Sequence, residues 1–171
     1  QRDSYLKDMR KNPKDEMFLA YLETITSQLA KVAIYITKER VSFVHEISAL
    51  TYQNMLNISN GQETLKIRYK SSILEALNIK DTEDEAFTEE NLTNIIMRKS
   101  FDDIMRGSTK IGPHQDDLEF YINDLDAKMY ASQGQQRSIV LSLKLAEINY
   151  LKSKTGTYPV LLLDDVLSEL D

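Results

Sequence analysis

The sequence has no cysteine among its 171 residues, and it contains only three prolines and five glycines. Without cysteine, neither a disulfide framework nor a thiolate zinc site can form. No stretch approaches the roughly 20 apolar residues that a membrane-spanning helix needs. The chain also opens without the pattern of a signal peptide. These absences favour a cytoplasmic globular protein with no membrane role.

The formal net charge of −6 argues against nucleic-acid binding by the whole surface, but the distribution of charge matters more than its total. The run "KDTEDEAFTEEN", residues 80–91, carries much of the acidity, and we interpret it as a solvated loop. The chain is long enough for one domain or two small lobes. It begins with Gln1 rather than Met and stops at Asp171 directly after an active-looking segment, so we expect an excised piece of a longer protein.

A long helix is predicted in the first third of the chain. Between Pro13 and Asn60 there is no glycine and no further proline, and large apolar residues recur at steps of four and three. Asn12 followed by Pro13 favours a helix start, and "SNG" at 59–61 favours a stop. A continuous helix would reach roughly 70 Å at about 1.5 Å per residue. It could be a projecting arm for partners or an ordinary packed pair of helices broken near residues 38–40. The apolar positions are Phe18, Leu22, Ile25, Leu29, Val32 and Ile36.

After Gly61 the apolar period changes to two, which predicts a half-buried strand with a basic outer face. Basic residues on such a face protect a sheet edge or contact phosphates. The buried face is Leu65, Ile67 and Tyr69, and the outer face, our candidate DNA-binding set, is Lys66, Arg68 and Lys70.

The middle of the chain predicts one more helix and one more strand. The helix runs from Thr88 or Asn91 to about Met105, and "LEFYIN" then alternates as a strand. Helices before and after isolated strands, with no internal repeat, predict an α+β lobe.

Two local motifs are near misses. "GSTKIGPH", residues 107–114, has two glycines at the spacing of a phosphate-binding loop, but Pro113 and His114 stand where Lys and Ser or Thr are required. His114 and Asp116 are of residue types that bind metals, yet the only other histidine, His45, lies in the predicted long helix. We therefore expect neither a phosphate-binding loop nor a metal site there.

Two adjacent carboxylates close the chain's most apolar run. Val160–Leu163 has no polar alternation, as in a central parallel strand buried on both faces. Asp164 and Asp165 follow at its carboxyl end, where ligands bind in open α/β sheets. The pair could be a solvated strand end, or it could bind Mg²⁺ and orient a water for phosphoryl transfer.

A second long helix is predicted from Gln135 to about Lys152, and its apolar spacing predicts that it is largely buried. Ser132 with Gln135 matches a capping box, which explains both residues structurally. The same helix start, with its free amides, a hydroxyl, Gly134 and the charge of Arg137, also suits an anion. Both interpretations stay open on the residues alone.

Taken together, "ASQGQQRS" and "LLLDDVLSELD" resemble the signature motif, Walker B strand and D-loop of ABC-type ATPases of the SMC- and RecF-like group. The resemblance is greatest to the RecF family. "GPHQDDLEF" is similar to a GPHRDD-type stretch of that family, and "LSLKLAE" supports it. The match is strong from Gly112 to Asp171. Gln115 stands where the family usually has Arg, and Asp124 stands where a Gly is common. We therefore carry over no role for that loop.

The resemblance implies a fold and a set of site residues. It implies an α+β chain in which a helical arm lobe with a small sheet, residues 1–110, joins the carboxyl-terminal part of an ABC ATPase head, residues 111–171. Asp165 would replace the usual catalytic Glu and, being one methylene shorter, would make hydrolysis slow. The implied ATP-binding residues, acting in trans, are Ser132, Gly134, Gln135 and Arg137; the implied Mg²⁺ ligand is Asp164; the implied D-loop residues are Ser168 and Asp171.

The resemblance also implies a biological role. In this family ATP lies between the phosphate-binding loop of one subunit and the signature of the other, so this chain alone is expected neither to bind ATP tightly nor to hydrolyse it. The implied whole protein is an ATP-dependent homodimer that binds DNA at gaps and junctions and helps load the recombinase RecA, with RecR and RecO as partners. The alternatives are a protein-interaction lobe that docks such mediators, and a different SMC-like ATPase or nuclease.

Overall fold

The structure, a computed structural model, describes residues 1–10 and 15–160. Over these residues the chain is helical with one small sheet, which confirms the predicted α+β class. None of the described helices is long and apolar enough to cross a bilayer. The helices are α1 (Arg2–Met9), α2 (Glu16–Ile58), α3 (Ser72–Leu77), α4 (Glu89–Arg98), α5 (Ser100–Arg106), α6 (Ala127–Tyr130) and α7 (Gln133–Thr155); the strands are β1 (Leu65–Lys70), β2 (Asp117–Ile122) and β3 (Leu125–Asp126).

The chain divides into two compact units. Unit 1 comprises Gln1–Val41 and Lys70–Asp117, and unit 2 comprises Ser42–Tyr69 and Leu118–Asp171. The lobe boundary between residues 110 and 111 that the sequence suggested stays a prediction.

Helix α2 is continuous, with no break at residues 38–40. The Asp15 carboxylate accepts hydrogen bonds from the amides of Met17 (3.0 Å) and Phe18 (3.3 Å) and so caps its first turn. Asn12 and Pro13, the predicted start, lie outside the described residues. At the other end Gly61 has φ +80° and donates to the Leu56 carbonyl at 2.7 Å, which confirms the predicted stop.

The buried stripe of α2 differs from the predicted one. Leu22 and Ile25 are buried as predicted, but Phe18 and Val32 are 37% and 55% exposed. The prediction counted only large apolar side chains, whereas threonine and alanine also occupy buried positions at helical spacing. In unit 1 the smaller buried residues of α2 are Thr26, Ala30, Ala33 and Thr37.

Unit 1 has two apolar clusters, formed where short helices pack on the first half of α2. The helix predicted from residue 88 to 105 is two helices, because the backbone turns at Lys99 (φ −94°, ψ 6°). Neither glycine nor proline marks that turn, so periodicity could not reveal it. The buried members of the two apolar clusters in unit 1 are Leu6, Met9, Leu22, Ile25 and Ile104 in one and Ala30, Ala33, Ile73, Leu92, Ile96 and Ile111 in the other.

Unit 1 also buries an ion pair. Arg2 Nη1 lies 2.9 Å from Asp103 Oδ2, and both side chains are 5% exposed. Arg2 donates further hydrogen bonds to Thr26 Oγ1 (3.0 Å) and Thr109 Oγ1 (2.6 Å). Asp3 accepts from the Thr109 amide (2.8 Å) and hydroxyl (2.6 Å). Such bonds are required because a buried charge without partners is costly.

Unit 2 is built on the sheet and the two long helices. The strand order is β1-β2-β3, and β2 pairs antiparallel with β3. Strand β1 occupies the predicted residues, with Leu65 buried and Lys66 exposed at the start of the predicted alternation. Helix α7 packs on α2 through Asn54, whose Nδ2 donates to the Ser142 carbonyl at 3.1 Å. The core is Met55, Leu65, Ile122, Ala127 and Ile139.

The turn between β2 and β3 explains one departure from the RecF pattern. Asn123 and Asp124 have φ values of 48° and 67°, as a two-residue type I′ hairpin requires. Glycine suits the second position better than aspartate, but here the Asp124 carboxylate also accepts a hydrogen bond from Lys66 Nζ. Asp124 therefore combines the turn with an ion pair across the sheet.

Candidate functional site

The predicted capping box opens α7. Ser132 is the N-cap residue, and its Oγ accepts from the Gln135 amide at 3.2 Å. In return, Gln135 Oε1 accepts from the Ser132 amide at 2.9 Å. The helix starts two residues before the predicted Gln135 and ends at Thr155, where Gly156 adopts φ +77°. Only one face is buried, since Val140 is 47% exposed, so the prediction of a largely buried helix was wrong.

The capping box leaves some hydrogen-bond donors of this helix start unused. The amides of Gln133 and Gly134 have no hydrogen-bond acceptor within residues 1–10 and 15–160. Because Ser132 Oγ acts as an acceptor, its hydroxyl hydrogen can still donate to another group. Three donors at the positive end of the helix dipole are thus available to an anion.

Gly134 is not required by the fold. Its φ is not positive, and a Cβ built on it would have Ser132 Oγ at 3.9 Å as its nearest contact. Glycine in a helix is unfavourable by roughly 0.5–1 kcal/mol relative to alanine. The missing side chain instead leaves the first turn accessible to close approach from outside.

Glu63, a small cleft and Arg137 lie beside this helix start. Glu63 accepts a hydrogen bond on its carboxylate from Gln135 Nε2 at 2.7 Å. A cleft of about 130 Å³ adjoins Gln135 and is lined by Asn123, Tyr130 and neighbouring apolar residues. Arg137, the fourth predicted signature residue, is half-buried. Sequence reasoning missed Glu63, because 72 positions separate it from Gln135 and no local pattern connects them.

The "GPHQDD" loop, by contrast, is closed by its own contacts. Gly112 has φ +147°, and an added Cβ would lie 2.9 Å from the His114 ring. The Ser72 hydroxyl accepts from the Gly112 amide (3.0 Å), and the Ser72 amide donates to Asp116 Oδ1 (2.8 Å). His114 Nε2 lies 3.0 Å from the Thr109 carbonyl oxygen.

Gln115, the other departure from the RecF pattern, also turns inward. Its Nε2 lies 3.4 Å from the Thr109 carbonyl oxygen. The loop thus has an internal structural role.

The basic face of β1 is largely neutralised. Lys66 pairs with Asp124, and the hydrogen bond to that carboxylate raises the pKa of Lys66. Arg68 Nε lies 3.4 Å from Glu119 Oε2. These pairs reduce the positive charge offered to a phosphate backbone. DNA binding by Lys66, Arg68 and Lys70 stays a prediction.

The remaining predicted site residues lie at the end of the chain. Asp164, Asp165, Ser168 and Asp171 fall outside the described residues. Within the described part, no group of three or more histidines, aspartates or glutamates could hold a metal ion.

The chain is similar to known proteins over its full length. It is 40% identical over 171 residues to DNA replication and repair protein RecF of Staphylococcus carnosus (strain TM300). It is 47% identical over 172 residues to the protein of that name from Listeria monocytogenes serotype 4b (strain CLIP80459). The chain belongs to the RecF family. No family model matches it.

Solved structures agree with this family. A structure of the recombination mediator protein RecF-ATPrS in the RecFOR pathway matches with a TM-score of 0.85 and 36% identity over 99% of this chain. The corresponding RecF-ATP structure matches equally well. This chain covers 45% and 44% of the two relatives' lengths and 43% of the solved chain, so it spans less than half of a whole RecF protein.

Proposed function

We propose that the chain is part of an ATP-dependent DNA-binding protein of recombinational repair, one that dimerises on ATP and helps load a recombinase at single-strand gaps. The observation that carries the proposal is the start of α7. Ser132 and the amides of Gln133 and Gly134 have donor capacity that the described chain does not use, and the glycine leaves space for close approach.

The residues at this helix start fit a nucleotide phosphate. The Ser132 hydroxyl and two main-chain amides can donate to phosphate oxygens, while Gln135 is held by the capping box and is less available than the resemblance implies. When bound, ATP would supply the phosphate charge that draws two subunits together. The sites for Mg²⁺ at Asp164 and for water orientation at Asp165 are part of the proposal, as are Arg137 and the D-loop residues Ser168 and Asp171.

The similar solved proteins support the choice of ligand and partners. Those RecF proteins were solved with ATP or ATPrS and are described as mediators in the RecFOR pathway. We therefore propose RecR, RecO and gapped or junction DNA as partners, a slow ATPase activity for the whole protein, and a cytoplasmic location. The chain by itself should neither bind ATP tightly nor hydrolyse it.

The test replaces Ser132 in the full-length protein. Ser132→Arg fills the space before α7 and adds a large side chain where the cap must form, so ATP-driven dimerisation should be lost. Ser153→Arg, on the exposed last turn of α7, is the matched control and should dimerise normally. Sedimentation velocity with and without ATP distinguishes the two. An ATP-dependent dimer of Ser132→Arg as stable as the wild type would disprove the proposal.

An exposed apolar stripe on α2 favours a second candidate function, the docking of a mediator protein. Met17, Tyr21, Val32 and Tyr35 are 79%, 49%, 55% and 66% exposed. Their spacing puts them on one face of the helix. Thr24 and Gln28 separate the two pairs on this face, so each pair forms a small apolar patch. Exposed apolar side chains at such helical spacing are typical anchors for a protein partner.

A pull-down separates this candidate from the first. If α2 docks a mediator, Tyr35→Glu should abolish capture of RecO or RecR, while Asp164→Asn should leave it unchanged. Capture that requires ATP and an intact Asp164 would instead favour the ATPase function alone.

A further inference from the structure

Glu63 lies where the sequence connects the end of α2 to β1, and its backbone is firmly positioned. Its amide donates to Ser59 Oγ at 3.0 Å, and the Ser59 hydroxyl in turn donates to the Met55 carbonyl at 2.8 Å. Met55 belongs to the core of unit 2 and is fully buried. The carboxylate is therefore presented from a turn that hydrogen bonds fix to the end of α2.

That carboxylate determines which way the Gln135 side-chain amide points. A carboxylate can only accept hydrogen bonds, so it selects the NH₂ end of the amide. Gln135 Nε2 meets Glu63 Oε1 at 2.7 Å, which leaves Gln135 Oε1 to accept from the Ser132 amide at 2.9 Å. A flipped amide would set two acceptors against each other at Glu63 and two donors against each other at Ser132.

The orientation of Gln135 has a consequence for the donors before α7. When the capping box is closed, Ser132 Oγ accepts a hydrogen bond from the main-chain amide of Gln135 at 3.2 Å. The hydroxyl hydrogen of Ser132 then remains available to a ligand. Both hydrogen bonds of the capping box hold the helix start, so the main-chain amides of the first turn keep their alignment.

We propose that Glu63 is a positioning residue for the phosphate site at the start of α7, acting through Gln135. The inference rests on the proposed function, since it concerns the same site. Glu63 also brings a negative charge near that site, which opposes an incoming anion. The hydrogen bond and the charge therefore act in opposite directions, and variants can separate them.

Three variants of the full-length protein test the proposal by the ATP concentration at half-maximal dimerisation. Glu63→Ala frees Gln135 and also removes the opposing charge. Because a hydrogen bond to a charged group is worth more than a screened charge near an exposed site, the midpoint should still rise, by up to about tenfold. Glu63→Gln keeps an acceptor for Gln135 and removes the charge, so its midpoint should equal or fall below that of the wild type. Glu63→Asp keeps the charge but is one methylene too short, so it should shift toward Glu63→Ala.

A general loss of folding would reduce the maximal dimer fraction, whereas a positioning role shifts the midpoint and leaves dimerisation at saturating ATP intact. Glu147→Ala, which removes an exposed carboxylate on α7 that pairs with Lys144, is the matched control and should match the wild type. If Glu63→Ala does not fold, Glu63→Asp and Glu63→Gln still give the contrast.

A wild-type midpoint for Glu63→Ala, or a midpoint for Glu63→Gln as high as that of Glu63→Ala, would overturn the inference. Ser132→Arg in the same assay keeps the two proposals apart. If Ser132→Arg still dimerises with ATP, the proposed function fails. If Ser132→Arg abolishes dimerisation while Glu63→Ala behaves normally, only the role of Glu63 fails.

Discussion

The loop "GPHQDD" in unit 1 and the helix start "SQGQQR" in unit 2 both carry the resemblance to RecF, yet their glycines serve different ends. Gly112 has φ +147° and an added Cβ would meet the His114 ring at 2.9 Å, so the fold itself requires glycine there. Gly134 has an ordinary φ and open space around it. Gly134 is therefore the glycine for which we propose a role in close approach of a ligand.

The polar groups of the two units differ in the same way. In unit 1 Arg2 donates hydrogen bonds to both Asp103 and Thr109, and all three residues are buried. In unit 2 Ser132 and Gly134 are exposed, and the donors there are only partly used. Polar residues in unit 1 therefore hold the structure together, whereas those at the start of α7 remain available to a ligand.

The largest expected effect comes from breaking the buried network of unit 1. Asp103→Ala leaves Arg2 charged and buried without its carboxylate, and we expect a loss of about 3–5 kcal/mol in the free energy of unfolding. Urea denaturation followed by circular dichroism measures it. Asp102→Ala, at the exposed neighbouring position on α5, should cost far less. Equal losses for the two variants would contradict the structural role of the network.

A smaller loss is expected for Gly112→Ala. The substitution forces a side chain into a glycine-only backbone region and displaces the His114 ring, so we expect a loss of about 1–3 kcal/mol. The same urea titration tests it. An unchanged free energy of unfolding would mean that the loop is not closed as described.

Gly134→Ala should not lower the free energy of unfolding, in contrast to Gly112→Ala. Alanine is the better helix former, and its Cβ has room, so the free energy of unfolding should stay equal or rise by up to about 1 kcal/mol. Destabilisation of this variant would show that the fold does need the glycine, and the contrast with Gly112 would disappear.

The smallest effect is a pH dependence in unit 1. Burial raises the pKa of Asp3, but the hydrogen bonds from Thr109 and the nearby charges of His114 and Arg2 outweigh it, so the pKa lies below its ordinary value of 3.8. A carboxyl with a depressed pKa adds stability above its unfolded-state pKa, and this stability is lost as pH falls through the folded-state pKa.

An NMR titration of the Asp3 carboxyl measures this shift. Thr109→Val should move the pKa of Asp3 upward and reduce the loss of stability on acidification below about pH 4. A pKa of Asp3 at or above 3.8 in the wild type would contradict the described contacts.

The sequence predicted the elements that depend on local periodicity. Helix α2, strand β1 and the Ser132–Gln135 capping box follow from spacing alone, because side chains a few positions apart decide them. Features that depend on distant contacts could not be predicted. The break at Lys99 has no glycine or proline, and Val32 is exposed because the buried face of α2 is the one that carries Ala30 and Ala33.

The same limit applies to predicting the candidate site from the sequence. Ser132, Gly134 and Gln135 were identified from the motif, but the carboxylate that orients Gln135 comes from a turn before β1. Only the folded chain brings Glu63 to α7. The acidic pair Asp164 and Asp165 remains a prediction from the resemblance.

The most direct test of the central claim, that the start of α7 is kept open for a phosphate, is the ATP-dependent dimerisation of Gly134→Ala in the full-length protein, measured by sedimentation velocity. We predict that Gly134→Ala is as stable as the wild type yet needs at least about tenfold more ATP to dimerise, because its Cβ obstructs close approach to the amides. Dimerisation of Gly134→Ala at the same ATP concentration as the wild type would contradict the claim.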